Sequence, residues 1–382
     1  MKKVYLKRLI KLLVLIVPIV ILCAAAEKIL VKAEGFDERR ISDFYFEEEN
    51  SIDVVFLGAS EIYTGYSPAY AYEKGGFTSY CYGVSSDSAN IYKSQLKDIL
   101  SKQNPQLMFV EMNGFIYDLE NMDNFSAQLY LESSPLTLNK IDTFFKTNPE
   151  DKISALMPFL KHHRQLSTVY AGHDIRGYTT ASLLKGVTTV TQLNTEKPSY
   201  AAPVGTDGQD ISPLSKEYLI DFLEYCKNEK MDNIVFIRFP HKYTDEDGYI
   251  RACRANAAGE LVQQYGYEYL NLDRCIDDIG LDYSVDFYNP EHLSVYGQIK
   301  FTDYMADMIT DKYNLVPIAQ NDINTARWEK SAGYTRAYFE LADEMIKSGN
   351  VQYIWEMPVV MDKLNEIIAT APAEGLPLPT AK

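Results

Sequence analysis

The sequence is poor in cysteine and in positive charge. Five cysteines are spread over 382 residues with no C-x-x-C pair, which argues against a zinc cluster, whose ligands come in closely spaced pairs. Cys81, Cys226, Cys253 and Cys275 lie beyond the N-terminal segment. Their spacing leaves open one or two disulfides or a set of buried thiols. Lysine and arginine total 37 against 53 Asp and Glu, for a net charge of −16. A nucleic-acid partner, which needs a basic face, is thereby excluded. There is no internal repeat. The acidic stretch from Thr244 to Tyr249 lacks the length and spacing of a calcium loop, so neither metal nor cofactor is expected. Also missing is G-x-S-x-G: the residue two beyond Ser60 is Ile62, which removes the strained serine elbow of α/β-hydrolases.

The first 31 residues are a different material. The basic "MKKVYLKR" precedes the uninterrupted apolar run Leu12 to Ala26. With the flanking Leu9, Ile10 and Ile29 to Val31, the run reaches the ~20 residues that span a bilayer. Lys2, Lys3, Lys7, Arg8 and Lys11 place the N-terminus in the cytoplasm and the rest outside. The expectation is a single-pass signal anchor in the cell membrane with an extracytoplasmic domain. A cleaved signal peptide is the rival, because Ala24 to Ala26 are small residues at a suitable place.

Residues 32–50 read as a linker. From residue 51, short apolar runs at 54–58, 78–83, 107–113, 233–240 and 267–273 alternate with helical patterns at 88–102, 212–230, 251–266 and 292–313. Strands apolar on both faces and separated by helices imply a parallel sheet covered on both sides. The fold class expected for 51–315 is therefore α/β: a three-layer α/β/α sandwich around a five-stranded parallel sheet, flavodoxin-like in layout. Residues 117–205 interrupt the rhythm and read as an insertion over the site. Residues 316–382 form a helical extension with a loose Pro-rich tail.

In such sheets, sites form beyond the carboxyl ends of the strands. Ser60, Gly83, Asn113 and His241 all fall at or just past such ends. His292, at the start of a helix after the last strand, is placed to act as a general base. A serine hydroxyl needs such a neighbour, because it is a weak nucleophile at its own pKa.

Four blocks, "VVFLGASEIYTGYSP", "YCYGVSS", "LMFVEMNG" and "DFYNPEHLSVYGQIKFT", give the chain its resemblance to the SGNH (GDSL-like) hydrolase superfamily. It is most similar to the membrane-anchored bacterial branch. That branch includes relatives of the D-alanyl transfer protein of teichoic acid and of polysaccharide O-acetyltransferases. The insertion's "MPFLKHHRQL…GHDIRGY" resembles a histidine-containing stretch of the same branch, with His163 as the matching residue. The resemblance implies Ser60 as nucleophile and His292 as base. It also implies an oxyanion hole from the backbone N–H groups of Ser60 and Gly83 with the Asn113 amide. The family's aspartate, three residues before the histidine, is here Asn289, an amide that can orient the ring but not stabilise its positive charge; Asp286 or Glu291 would substitute for it, or the site would run as a Ser60–His292 dyad. His163, His241 and Glu61 are candidate substrate contacts. The implied activity is that of an extracytoplasmic serine esterase or O-acyltransferase acting on an acylated glycan or cell-wall polymer. A catalytically inactive glycan-binding or assembly module, or an envelope-complex partner docked through the tail, is the alternative.

Overall fold

A computed structural model describes residues 2–32, 35–120, 124–165, 180–373 and 375–381. Five short strands form its centre: β1 (Val54–Leu57), β2 (Ser79–Tyr82), β3 (Leu107–Glu111), β4 (Ile234–Arg238) and β5 (Glu268–Asn271). They are all parallel, in the order β2-β1-β3-β4-β5. That order reverses direction between β1 and β3, where doubly wound sheets place their ligands.

The pleat explains the layering, since alternate side chains point to opposite faces. Val55, Leu57, Tyr80, Tyr82, Met108, Val110 and Phe236 pack with Ala89–Lys102, Pro213–Asn228 and Glu246–Gln264. Val54, Phe56, Cys81, Phe109, Val235 and Ile237 pack with Ser60–Gly65 and Val295–Asp311. Helices thus cover both faces, as the apolar strands require. All five cysteines are free thiols.

Three departures from the sequence reading have local causes. The stretch 32–50 contains the helix Phe36–Phe44, whose Ile41 and Phe44 join the sheet's core. The helix expected from residue 251 begins at Glu246, because the Asp245 carboxylate caps the Gly248 N–H at 2.7 Å and two acidic residues occupy its first turn. His292 does not begin a helix. It pairs with Asn289 in a two-residue antiparallel ladder, and the helix starts at Val295 behind a Ser294 cap.

At the N-terminus, one helix, α1, runs from Lys2 to Lys32. The expected membrane span has no support from the described residues, among which no helix is long and apolar enough to cross a membrane. The side chains of Val20, Ala24 and Ala26 to Ile29, which belong to that expected span, lie outside the described residues. At the other end, the helix Asp322–Lys347 packs on Pro68–Gly75. Tyr353–Ile354 pairs antiparallel with Thr189–Val190 of the insertion. Arg39 bonds Glu356 at 2.6 Å, joining the start of the domain to its extension.

Candidate active site

The site is built from the carboxyl ends of β1, β3, β4 and β5 and from the loop before Val295–Asp311. After β1 the chain turns sharply through Gly58 and Ala59, and Ser60 opens a short helix. Two close approaches force the glycines. A Cβ on Gly58 would sit 2.4 Å from Cβ of Glu111, and one on Gly83 would sit 1.7 Å from the Gly58 carbonyl oxygen. Neither position admits a side chain, so the β1 and β2 exits lie directly against each other.

Ser60 Oγ lies 2.6 Å from His292 Nε2. The other ring nitrogen, Nδ1, is 2.9 Å from Asn289 Oδ1. That oxygen also accepts the Glu291 backbone N–H at 2.9 Å, which fixes it as the oxygen of the amide. Nδ1 therefore carries the proton, and Nε2 presents a lone pair to the serine hydroxyl. Tyr288 stacks on the imidazole at 5.3 Å between ring centroids. Burial holds the His292 pKa below its ordinary value, against the pull of Glu61 and Glu291.

Beneath this pair lies a buried charge network. Glu61 Oε1 accepts hydrogen bonds from the Asn113 amide and, at 2.8 Å, from His241 Nε2. His241 Nδ1 faces the Phe239 carbonyl at 2.7 Å and Asp273 Oδ1 at 2.9 Å. Acceptors on both nitrogens require both to be protonated, so His241 is an imidazolium. Burial and Arg238 push its pKa down, but Glu61 and Asp273 prevail and raise it to about 10. Arg238 spans from Asp273 Oδ2 at 2.9 Å to Asn113 Oδ1 at 2.6 Å. Burial alone would raise the Asp273 carboxyl, but Arg238 and His241 hold it at about 2. Burial likewise works against Glu61, whose pKa is nevertheless lowered by His241 and Arg238.

Two buried anions are thus balanced by two buried cations. A third carboxyl, Glu111, accepts the Ala59 N–H at 2.9 Å and the Asn113 N–H at 2.8 Å. Burial and the nearby Glu61 charge push its pKa up to about 8. Through the Ala59 bond it braces the turn that presents Ser60.

The structure brings together Ser60, His292, Asn289, Glu61, Asn113 and His241. Gly83 stands against the same turn. The Asn113 amide donates to Glu61, so this group ties the serine helix to β3. Asp286 lies apart from His292: Lys300 Nζ and the Asp282 N–H bond its Oδ2 at 2.6 Å each. Glu291 is paired with Arg251 at 2.6 Å. His163 is exposed and bonds the Leu160 carbonyl of its own turn at 2.7 Å. The "GHDIRGY" part of the insertion lies outside the described residues.

Glu111, Arg238 and Asp273 were not singled out by sequence reasoning, although each is a charged residue at the exit of an apolar strand. That was the available signal, because a charge in such a place must be paired. A polar cavity of about 200 Å³, lined by His241, Tyr243, Arg251, Asn289 and Glu291, adjoins the His292 loop. No protein-family model, curated protein or solved structure matches the chain.

Proposed function

We propose that the chain is a serine acyl-ester hydrolase or O-acyltransferase of the SGNH type, working through an acyl-Ser60 intermediate. The observation that carries this reading is the relay Ser60 Oγ–His292 Nε2, with Nδ1 held by Asn289 Oδ1. His292 takes the Ser60 proton as Oγ attacks an ester carbonyl. The tetrahedral intermediate expels the alcohol, which receives that proton from the imidazolium. Water or a second hydroxyl, deprotonated by His292 in turn, releases the acyl group from Ser60. The backbone N–H groups of Ser60 and Gly83 are the proposed oxyanion donors, each such donor being worth ~10²- to 10³-fold.

A neutral amide at 289 orients the ring without stabilising its positive charge. Glu61 offsets part of that loss at longer range, against burial and the His241 cation. It is ionised, buried and adjacent in sequence to Ser60, and its charge raises the His292 pKa. Its Oε2 has no hydrogen-bond partner among the described residues.

The proposed substrate class is an acylated glycan or cell-envelope polymer outside the cytoplasm, with α1 as a membrane anchor. Leu12 to Val17 of α1 are large apolar side chains exposed on every side of the helix, and Lys7, Arg8 and Lys11 flank them. The missing carboxylate at 289 favours a second reading, a catalytically silent module that binds glycan or an envelope partner. Labelling with a fluorophosphonate probe separates the two. The wild type labels and Ser60→Ala does not; a wild-type chain that stays unlabelled while folded leaves only the binding module.

A further inference from the structure

The insertion carries an apolar surface that the proposed chemistry does not use. The helix Leu138–Thr147 turns Lys140, Thr143, Phe144 and Thr147 inward. On its outer face, Leu138, Ile141 and Phe145 recur at helical spacing, and Leu138 and Phe145 are 86% and 76% exposed. The next helix, Lys152–Leu156, contributes Ile153 at 66%, and Met157 and Leu160 continue the surface at 51% and 46%. These elements are successive neighbours: Leu138–Thr147 touches Lys152–Leu156, which touches Pro158–His162, which packs on α1.

The place where the surface meets α1 decides its occupant. Described side chains of α1 are exposed from Val4 to Leu22 and buried at Leu30 and Val31, so the packed end is the C-terminal one. If residues from about 9 to 25 cross a bilayer, that end emerges at the outer headgroup level, and the insertion lies beside the exit. Charge on this surface is near balance: Lys140 is buried, Lys146 pairs with Asp142 and Lys161 with Glu132, so the exposed apolar side chains are what suit a lipid interface. An exposed patch of this kind in water is otherwise a liability.

We propose that Leu138, Ile141, Phe145, Ile153, Met157 and Leu160 form an interfacial platform that rests on the lipid bilayer beside α1, holding the domain against the membrane surface. The proposal takes its orientation from the anchor reading of α1.

The test uses the full chain with Phe145→Trp or Ile153→Trp, both at exposed positions, reconstituted into phosphatidylcholine–phosphatidylglycerol vesicles with brominated acyl chains. Trp328 and Trp355 of the parent supply the background. The expected result is that the added emission of both variants is largely quenched and shifted to the blue. If the chain floats with the vesicles but neither added tryptophan is quenched, the platform is refuted and the anchor stands. Quenching at only one of the two helices also refutes it. A chain that fails to float at all refutes the anchor and the platform together.

Discussion

Replacing Asn289 with aspartate would supply the charge that the ring-orienting position lacks. Asn289 Oδ1 makes two bonds at 2.9 Å, to His292 Nδ1 and to the Glu291 N–H, and an aspartate oxygen can keep both. The residue is only half-buried, so the added charge need not be fully desolvated. A hydrogen bond to a charged group contributes ~1.5–3 kcal/mol against ~0.5–1.5 for a neutral pair. The imidazolium thus gains about 1.4 kcal/mol, equivalent to roughly one pKa unit and a tenfold rate change. The assay is the pH profile of kcat/KM on a small acyl ester, with His292 followed by NMR titration. Wild-type His292 lies below its ordinary value because of burial, so the proposed activity is expected to extend to lower pH than a free imidazole would allow. In Asn289→Asp the acid limb moves up by about one unit and the plateau rises about tenfold. A folded variant with an unmoved limb would refute the claim that Nδ1 is the nitrogen held at 289.

Two further outcomes follow from the network and the turn. His241→Gln leaves Glu61 and Asp273 with one cation between them, a loss of ~3–5 kcal/mol for a broken buried pair, read as a lower denaturation midpoint. In the wild type, the His241 pKa rises on folding from 6.5 to about 10. Its contribution to stability is therefore complete below about pH 6.5 and is lost as pH climbs through about 10; the variant should lack that alkaline decline, and an identical decline would contradict the imidazolium assignment. Gly83→Ala places a methyl group 1.7 Å from the Gly58 carbonyl. The β1 and β2 exits must part, costing ~1–3 kcal/mol or more and on the order of 10²-fold in ester turnover through misplacement of Ser60. Full activity in this variant would show that the turn has slack.

The sheet was legible because each strand is a short apolar run closed by a polar or glycine residue. Ser60 was legible because it stands just past such a closure, and His292 because it heads the last long helical pattern after the fifth strand. What stayed hidden depends on distance through space. Nothing in the spacing of Asp286 and Asn289 says which one reaches the ring; the antiparallel pairing of Asn289 with His292 decides it, while Lys300 takes up Asp286. The ties from Glu61 to Asn113 and His241 join residues 52 and 180 positions apart, beyond the reach of any local pattern. The helix Phe36–Phe44 was masked by its charged sequence, since Arg40, which looks like a solvated residue, is fully buried between Asp37 and the Gly83 carbonyl.

The bond between Arg39 and Glu356 bears on how this polypeptide can be cut. Glu356 also receives the Leu184 N–H and the Ser182 hydroxyl, so one carboxylate fastens the entry to the domain, the inserted segment and the extension at a single knot. A protease nick or stop codon after residue 315 would do more than shorten the protein. It would untie the opening helix and unpair Thr189–Val190, freeing the inserted segment from the body it leans on. Shortened forms should therefore keep both tied residues, Arg39 and Glu356, and the segment between them.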